Sequence, residues 1–425
     1  MGDTLKKIRN GLYKAMIKLK IKNIGPIKDG FVPGDGFMDI NDVTIFIGNQ
    51  GTGKSTVAKV FSTLSWIEKA LVRGDFTVRY LTQYNRFIKH FSYQGIGNYF
   101  NENSEIEYVG HAFTIQYNSA TLNISKNRQK DQYQFPKIMY IPAERNFISS
   151  VDRPDLLKRL PLPLYTFLEE YEEAKGLLGG QIDLPVGNMK FIYRKQNKKS
   201  MLEGENFKIE LLEASSGYQS LVPLFIVTRY LSTVIKESST TTHKKISVDE
   251  EKKIRKEIDE IIENKNISDD VKKVLLEKLS ARFTYASFVN IVEEPEQNLY
   301  PFSQKEILFE LLKSKNDHAD NKLILTTHSP YIINYLTLAV KADSVKIKLQ
   351  KKADHQALLQ TLSTVVPLNS TIPSSILTIY QLDDTGCIKR LQDYKGIPSD
   401  ENYLNEFLAE SNDLFIELME IEDKC

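Results

Sequence analysis

Residues 48–55 have the types and the spacing of a phosphate-binding loop. They fit the pattern G-x-x-x-x-G-K-[ST] and are Gly48, Asn49, Gln50, Gly51, Thr52, Gly53, Lys54 and Ser55. In such a loop, glycines let backbone N–H groups turn inward around phosphate oxygens, a lysine reaches the β- and γ-phosphates, and a serine hydroxyl binds Mg²⁺. We therefore expect Lys54 to offset phosphate charge, Ser55 to bind magnesium, and the backbone through Thr56 to hold a nucleotide.

An acidic pair ends an apolar segment much later in the chain. Residues 288–294 read FVNIVEE. A phosphate-binding loop needs an acidic residue at the end of a buried strand to hold the magnesium ion and its water. We assign Glu293 to the magnesium shell and Glu294 to polarising the attacking water, because the general base must lie nearer the γ-phosphate than the metal ligand does. A lone glutamate pair often only caps a strand, but the accompanying loop favours the catalytic interpretation.

The elements that must position these residues alternate between strands and helices. A strand at 43–47 leads into the loop and a helix follows it, while continuous apolar strands at 288–292 and 322–325 flank a helix at 302–313. Such runs are typical of strands buried in a parallel sheet, so we expect an α/β core. The alternation from Met16 predicts a half-buried strand, which Gly25 and Pro26 end. Residues 189–193 and 207–212 are predicted to pair as a hairpin with a polar, basic tip.

The order of these motifs resembles the soluble branch of the ABC ATPase superfamily that includes SMC, RecF and OLD-type ATPases. Residues 214–219 read ASSGYQ, which is similar to a degenerate LSGGQ signature and opens a predicted helix. Residues 293–301 read EEPEQNLYP and resemble the Walker B and D-loop run EEPE-x-x-L-H-P, with Tyr300 where histidine is usual. We expect that departure to alter a contact between subunits more than the chemistry.

Two further segments carry the resemblance. Residues 325–330 read LTTHSP and match the switch-histidine motif, which places His328 beside the γ-phosphate. Residues 140–145 read YIPAER, near the position where transporters carry the glutamine of the Q-loop. No glutamine is present there, so Glu144 or Arg145 either senses the nucleotide or forms a buried ion pair. An aspartate would stand in place of Glu293 in a transporter, and the signature would be clearer, which disfavours that class.

The resemblance implies an ABC-type P-loop NTPase core with a mixed or parallel sheet, an antiparallel β subdomain and a helical insert. It implies binding of ATP and Mg²⁺ and hydrolysis of ATP by Glu294, His328 and Lys54. Ser216 and Gly217 would contact the γ-phosphate held by a second subunit. The active unit would then be a head-to-tail homodimer or a higher even-numbered oligomer.

The function that we expect is control of a separately encoded effector, a nuclease or a toxin, in antiphage defence that senses nucleic acid or a phage component. A DNA repair or chromosome-maintenance ATPase of the RecF or SMC type is the main alternative. A nucleotide-dependent scaffold that does not hydrolyse ATP is another. DNA is a possible partner in the first two cases.

We divide the chain into an ATPase core at 1–340, with a helical insert at about 243–283, and a C-terminal α/β extension of the same globule at 341–425. A Toprim nuclease would need an acidic strand end and a DxD pair. The extension has Asp383 and Asp384 without that spacing, so a nuclease is not expected in it.

Composition narrows the class of protein further. The formal net charge of +1 gives no overall basic excess, although eight basic groups in the first 30 residues are either a nucleic-acid-binding arm or a solvated start. Cys387 and Cys425 lack CxxC spacing, which argues against a disulfide framework or a zinc site. No apolar run approaches the ~20 residues that span a bilayer. We therefore expect a cytoplasmic protein without a membrane partner.

Overall fold

The computed structural model describes residues 16–128, 133–157, 159–178, 180–238, 256–261, 263–264, 285–352 and 355–423. Most of the expected insert at 243–283, and four of the eight basic groups at the start of the chain, lie outside these residues. No helix in the described ranges is long and apolar enough to cross a membrane.

A mixed seven-stranded sheet forms the centre of the described structure. In spatial order its strands are β2 (Gly30–Phe31), β16 (Cys387–Arg390), β15 (Leu377–Leu382), β4 (Val43–Gly48), β14 (Lys322–Thr327), β13 (Ser287–Glu293) and β8 (Pro136–Ile141). The five strands from β15 to β8 are mutually parallel. Every residue of β4, β13 and β14 is buried, which explains why the sequence shows them as continuous apolar runs. The α/β core predicted from the sequence is confirmed.

Helices cover both faces of this sheet. Their bounds are α1 (Lys54–Arg73), α2 (Val78–Leu81), α3 (Arg86–Phe91), α4 (Leu162–Leu178), α5 (Ser216–Ser238), α6 (Pro301–Asn316), α7 (Pro330–Leu349), α8 (Gln356–Val365) and α9 (Tyr403–Glu422). Short 3₁₀ turns span Ser92–Gln94, Gly97–Tyr99, Ala143–Ser149, Pro154–Leu156, Leu211–Glu213 and Ser374–Ile376. Alternate residues of β4 point to opposite sides: Ile45 packs with α4 to α7, and Phe46 packs with α1. The sheet is therefore the middle layer between two hydrophobic cores.

An antiparallel five-stranded sheet packs on the α1 side. Its strands, in spatial order, are β3 (Met38–Ile40), β1 (Ile17–Ile24), β5 (Phe100–Val109), β6 (Phe113–Asn118) and β7 (Thr121–Lys126). β1 alternates between buried and partly exposed residues, with Leu19 and Ile21 fully buried. The half-buried strand predicted from the alternation and the antiparallel β subdomain implied by the resemblance are both confirmed.

The predicted hairpin of residues 189–193 with 207–212 is wrong. The region forms a four-stranded antiparallel sheet of β12 (Lys208–Glu210), β11 (Lys199–Glu203), β10 (Lys190–Arg194) and β9 (Gln181–Asp183). β10 pairs with β11, which lies inside the segment predicted as a solvated tip. Only Leu202 of β11 is fully buried, and Lys199, Ser200 and Glu203 make most of this short strand polar in sequence. In the turn before β11, Lys198 has φ 55°, a left-handed conformation that is uncommon for residues other than glycine. A lysine at this position therefore gives no indication of a turn in the sequence.

The segment after residue 340 supplies β15 to the central sheet. β15 lies beside β4 and runs parallel to it, and the Tyr380 hydroxyl bonds the backbone N–H of Asp39 at 2.7 Å. β15 pairs antiparallel with β16, and a short turn joins the two strands. In the turn between them, Asp383 Oδ1 accepts hydrogen bonds from the backbone N–H groups of Thr385 and Cys387, both at 3.0 Å. Asp383 thus shapes a turn. Near the end of the described chain, β17 (Asp393–Tyr394) and β18 (Ile397–Pro398) form a small ribbon.

Candidate functional site

The carboxyl ends of the parallel strands bring the candidate residues to one edge of the central sheet. Gly48 ends β4 and pairs in register with Leu382 at the end of β15. β14 ends beside β4 at Thr327, and β13 ends beside β14 at Glu293. Because ligands in open α/β sheets bind at this edge, the loop at 48–55, the acidic pair and His328 form one candidate site.

The loop at 48–55 is held in shape by its own lysine. Lys54 Nζ donates hydrogen bonds to the carbonyl oxygens of Gly48 at 2.8 Å and Asn49 at 2.7 Å. Thr52 Oγ1 also donates to Asn49, at 2.9 Å. Gly53 has φ 101° and is the N-cap of α1, so no side chain there covers the first N–H groups of the helix. Those N–H groups and the positive end of the helix dipole form a site for an anion such as phosphate.

Glycine is required at the start of the loop by close approach. Gly48 has φ 146°, and a Cβ atom there would lie 2.3 Å from the carbonyl oxygen of Leu382. The backbone of β15 therefore limits what residue β4 can end with.

The ammonium group of Lys54 lies in a buried, acidic setting. Burial lowers the pKa of Lys54, while the negative charges of Glu294 and Glu296 oppose that effect. The two glutamates thus help to keep the lysine protonated, which is the form that can offset phosphate charge.

Glu293 has the environment of a metal ligand. Its side chain is 3% exposed, and Oε2 accepts a hydrogen bond from the Ala143 N–H at 3.2 Å. Oε1 is buried and has no hydrogen-bond partner in the structure. A buried carboxylate oxygen without a donor is rare, and Mg²⁺ prefers oxygen ligands of this kind. Glu293 and the hydroxyl of Ser55, in the first turn of α1, therefore fit a magnesium ion with its waters.

Glu294 has a strained backbone and a charged neighbour. Its φ is 44°, and its N–H donates to the carbonyl of Thr326 at 2.8 Å, so the chain leaves β13 in a left-handed turn. Glu294 Oε1 lies 3.6 Å from Nδ1 of the half-exposed His328. The bond to His328 lowers the pKa of Glu294, and the same bond raises the pKa of His328. Left-handed conformations cost a non-glycine residue roughly 1–2 kcal/mol and cluster at functional sites.

Glu296 is a residue of the site for which the motifs in the sequence predicted no separate role. Its buried Oε1 accepts hydrogen bonds from Thr327 Oγ1 at 2.7 Å and from the backbone N–H of His328 at 2.9 Å. The same oxygen lies 3.5 Å from His328 Nδ1. Glu296 therefore fixes both the backbone and the ring of His328. The sequence does contain a signal for this role, because a third acidic residue follows Pro295 directly and so lies in the same short turn as Glu293 and Glu294.

Arg145 connects the acidic pair to α5. Its fully buried guanidinium donates to the backbone carbonyls of Glu293 at 2.7 Å and Glu294 at 2.6 Å, and to that of Ser220 at 3.3 Å. Burial lowers the pKa of Arg145 to about 10. Pro223 has no N–H, so this part of α5 lacks one helical hydrogen bond.

The hydrogen bonds of Arg145 go to backbone carbonyls. The sequence suggests instead that Glu144 or Arg145 either senses the nucleotide or forms a buried ion pair. Its partner in the motif, Glu144, is exposed.

The signature-like residues lie at the start of α5, against the turn that follows the acidic pair. A Cβ atom on Gly217 would lie 2.8 Å from the carbonyl oxygen of Asn298, and Ser220 Oγ bonds Gln297 Oε1 at 3.2 Å. Ser216 is exposed at the helix N-terminus. The structure thus brings Lys54, Glu293, Glu294 and His328 to the carboxyl edge of the central sheet. Gly217 instead lies close to the backbone of Asn298 in the turn that follows the acidic pair.

A family model described as "AAA domain, putative AbiEii toxin, Type IV TA system" matches residues 289–334, the segment that contains Glu293, Glu294 and His328. No curated protein matches the chain. The fold class and the resemblance inferred from the sequence are confirmed by this match together with the arrangement of the sheet.

Several solved structures are similar to this chain. The SMC head domain from Thermotoga maritima shares 12% identity over 75% of this chain and 90% of that chain, with a TM-score of 0.32. The recombination mediator protein RecF with ATP shares 10% identity over 90% of this chain and 100% of that chain, with a TM-score of 0.29. The ATP-binding cassette MJ0796, a post-hydrolysis dimer bound to ADP and Pi, shares 10% identity over 89% and 100%, with a TM-score of 0.26.

Proposed function

We propose that this ABC-type P-loop ATPase binds ATP with Mg²⁺ at residues 48–55 and hydrolyses it. The observation that carries the proposal is the meeting of Lys54, Glu293, Glu294 and His328 at the carboxyl edge of one parallel sheet. A phosphate-binding cation, a carboxylate suited to a metal and a second carboxylate suited to orienting water are the groups that phosphoryl transfer to water requires.

Each side chain has a distinct role in this proposal. Lys54 would turn from the loop carbonyls to the β- and γ-phosphates, and Glu293 and Ser55 would hold magnesium. When bound, magnesium offsets charge on the phosphate oxygens. Glu294 is kept ionised by His328, so it can accept a hydrogen bond from water and align that water for in-line attack. Glu296 would act indirectly, by fixing His328.

We propose that the site is completed by a second copy of the chain. Ser216 is exposed at the N-terminus of α5, where backbone N–H groups and the helix dipole favour an anion. In a head-to-tail dimer, Ser216 and Gly217 would contact the γ-phosphate held by the other subunit. ATP would then stabilise the homodimer, or a higher even-numbered oligomer, and hydrolysis would loosen it.

The first test replaces Glu294 by glutamine, which keeps the side-chain volume and removes the negative charge. We expect ATP hydrolysis to fall by at least ~100-fold, as loss of a general base commonly does, and an ATP-bound dimer to accumulate in size-exclusion chromatography. Glu102→Gln, on an exposed residue of the five-stranded sheet, is the matched control. A Glu294→Gln variant that hydrolyses ATP at the wild-type rate contradicts the assignment.

The second test asks whether two subunits share one site. Lys54→Ala and Ser216→Arg should each abolish hydrolysis when purified alone. In a mixed dimer, the intact loop of one subunit meets the intact signature of the other, so random pairing restores about a quarter of wild-type activity. An inactive mixture, despite dimers detected by light scattering, would rule out the head-to-tail arrangement. It would leave ATP binding by residues 48–55 untouched.

We further propose that the ATP-bound dimer controls a separately encoded effector, a nuclease or a toxin, in antiphage defence triggered by nucleic acid or a phage component. Support comes from the matched family model, whose description refers to a toxin of a toxin–antitoxin system. Purification with the product of a neighbouring gene, followed by ATPase assays with and without DNA, tests the proposal. Co-purification with a recombination protein would favour the alternative of a DNA repair ATPase. Binding of ATP without hydrolysis would favour the alternative of a nucleotide-dependent scaffold.

A further inference from the structure

A cavity of about 600 Å³ lies beside the second half of α1, away from the phosphate-binding loop. The residues that line it come from α1, α3, β8, the turn Ser92–Gln94 and the first residues of α4, together with Tyr285, and they include none of residues 48–55. Ligand sites in proteins commonly have volumes of about 300–1,000 Å³. The cavity is therefore large enough for a small organic ligand.

Aromatic rings form part of its wall. Trp66 on α1 is 40% exposed, and its ring centroid lies 5.4 Å from that of His90. Tyr93 and Tyr285 also line the cavity. Burial lowers the pKa of His90, which favours the neutral form of its imidazole. Partly exposed, neutral aromatic rings in a cavity are surfaces on which another flat ring can stack.

The charged groups of the described lining are all cations. They are Lys69, Arg73, Lys89 and Lys137. Arg73 pairs with Asp75 and Lys137 with Glu170, and both of these carboxylates lie outside the lining. Lys69 Nζ is 4.4 Å from the centroid of the Tyr285 ring. The wall therefore combines cations with aromatic rings, an arrangement that suits a flat, anionic ligand.

An unsatisfied amide supplies an independent indication of a ligand. Gln94 is 4% exposed and lines the cavity, and its Nε2 donates to Ser62 Oγ at 3.3 Å. The buried Oε1 of Gln94 has no hydrogen-bond partner in the structure. Since buried polar atoms are nearly always paired, this oxygen is suited to accept from an N–H group of a ligand.

We propose that the cavity binds a nucleobase together with its phosphate, as a free nucleotide or as the terminal nucleotide of a single strand. The rings of Trp66 and Tyr93 stack on the base, Gln94 Oε1 accepts from an amino or imino group at the base edge, and Lys69 and Lys89 attract the phosphate. This site is separate from the one proposed for ATP hydrolysis and does not depend on it.

Trp66 makes the proposal directly testable, because it is the only tryptophan of the chain. Its fluorescence is measured in the full-length protein without Mg²⁺, during titration with AMP, GMP, CMP and UMP, and separately with a short oligothymidylate. Nucleoside monophosphates lack the β- and γ-phosphates that Lys54 would hold, so binding at the loop is disfavoured. A saturable change with a monophosphate identifies a free nucleotide, and a change with the oligonucleotide alone identifies a strand end. No change with any of these probes overturns the proposal.

Two variants test whether binding occurs in this cavity. Gln94→Met should weaken binding about three- to tenfold, the usual effect of losing one hydrogen bond. Lys89→Met changes an exposed residue, and should weaken binding and reduce its dependence on salt. Gln83→Met and Lys395→Met, both exposed and outside the cavity, are the matched controls. Wild-type affinity in both cavity variants would show that the nucleotide binds elsewhere.

Discussion

Replacing Arg145 by methionine removes a fully buried guanidinium group and keeps most of the aliphatic volume. The carbonyl oxygens of Glu293 and Glu294 then lose the donors that now lie at 2.7 and 2.6 Å. Leaving a buried acceptor unpaired costs about 1–3 kcal/mol, so these two carbonyls together destabilise the fold by about 4 kcal/mol. Arg145→Lys keeps the charge but not the planar fork of donors, and should cost about half as much.

Urea unfolding followed by circular dichroism measures the loss of stability. The rate of ATP hydrolysis measures a second effect, because the bonds of Arg145 to these carbonyls fix the backbone that carries the proposed metal ligand and general base. We expect the turnover number of Arg145→Lys to fall more than its affinity for ATP. Arg229→Met, at an exposed position of the same α5 helix, is the control and should change stability by less than about 0.5 kcal/mol.

An Arg145→Met variant whose free energy of unfolding lies within about 1 kcal/mol of the wild-type value would contradict this role, since loss of a buried hydrogen-bond network is one of the mechanisms that produce large effects. An Arg145→Lys variant that hydrolyses ATP at the wild-type rate would contradict it as well. Either result would mean that the turn after β13 is held by its remaining contacts.

The remaining predictions concern two ionisable groups. Glu68 on α1 is buried, and burial raises its pKa from 4.5 to about 6, so the folded chain holds this proton more tightly than the unfolded chain does. The free energy of unfolding should therefore fall by about 2 kcal/mol as the pH rises across that interval, and Glu68→Gln should remove this fall; an unchanged pH dependence would contradict the assignment. His328→Ala removes the partner that most lowers the pKa of Glu294, so the acid limb of the pH–rate profile should move to higher pH. His355→Ala should leave the profile in place, and an equal shift in both variants would contradict the assignment.

The core of the site was accessible from the sequence because its signals are local. A glycine-rich loop between a strand and a helix, and two acids at the end of an apolar run, each occupy a few consecutive residues. Parallel strands then bring their ends together at one edge, so the meeting of Lys54 with Glu294 follows from topology alone.

Other features depend on partners that a sequence does not display. Arg145 bonds backbone carbonyls, which every residue has, so no residue type marks them. The role of Glu296 depends on the position of His328 in three dimensions. β11 was missed because a strand with a single fully buried side chain resembles a loop in composition. The place of β15 beside β4 could not be inferred either, since local patterns do not fix the spatial order of distant strands.

The position of β15 has a consequence for how the chain becomes competent during synthesis. The bond from Tyr380 to Asp39 spans 341 residues, and the end of β4 is in contact with the backbone of Leu382. Pairing of such distant segments has a high entropic cost, because a long loop must be closed, and it therefore forms slowly. On the ribosome, residues 48–55 emerge before residues 377–382, so the loop motif is complete before the strand that lies beside β4 has been made. We therefore expect the loop to reach its final conformation only after β15 has paired with β4.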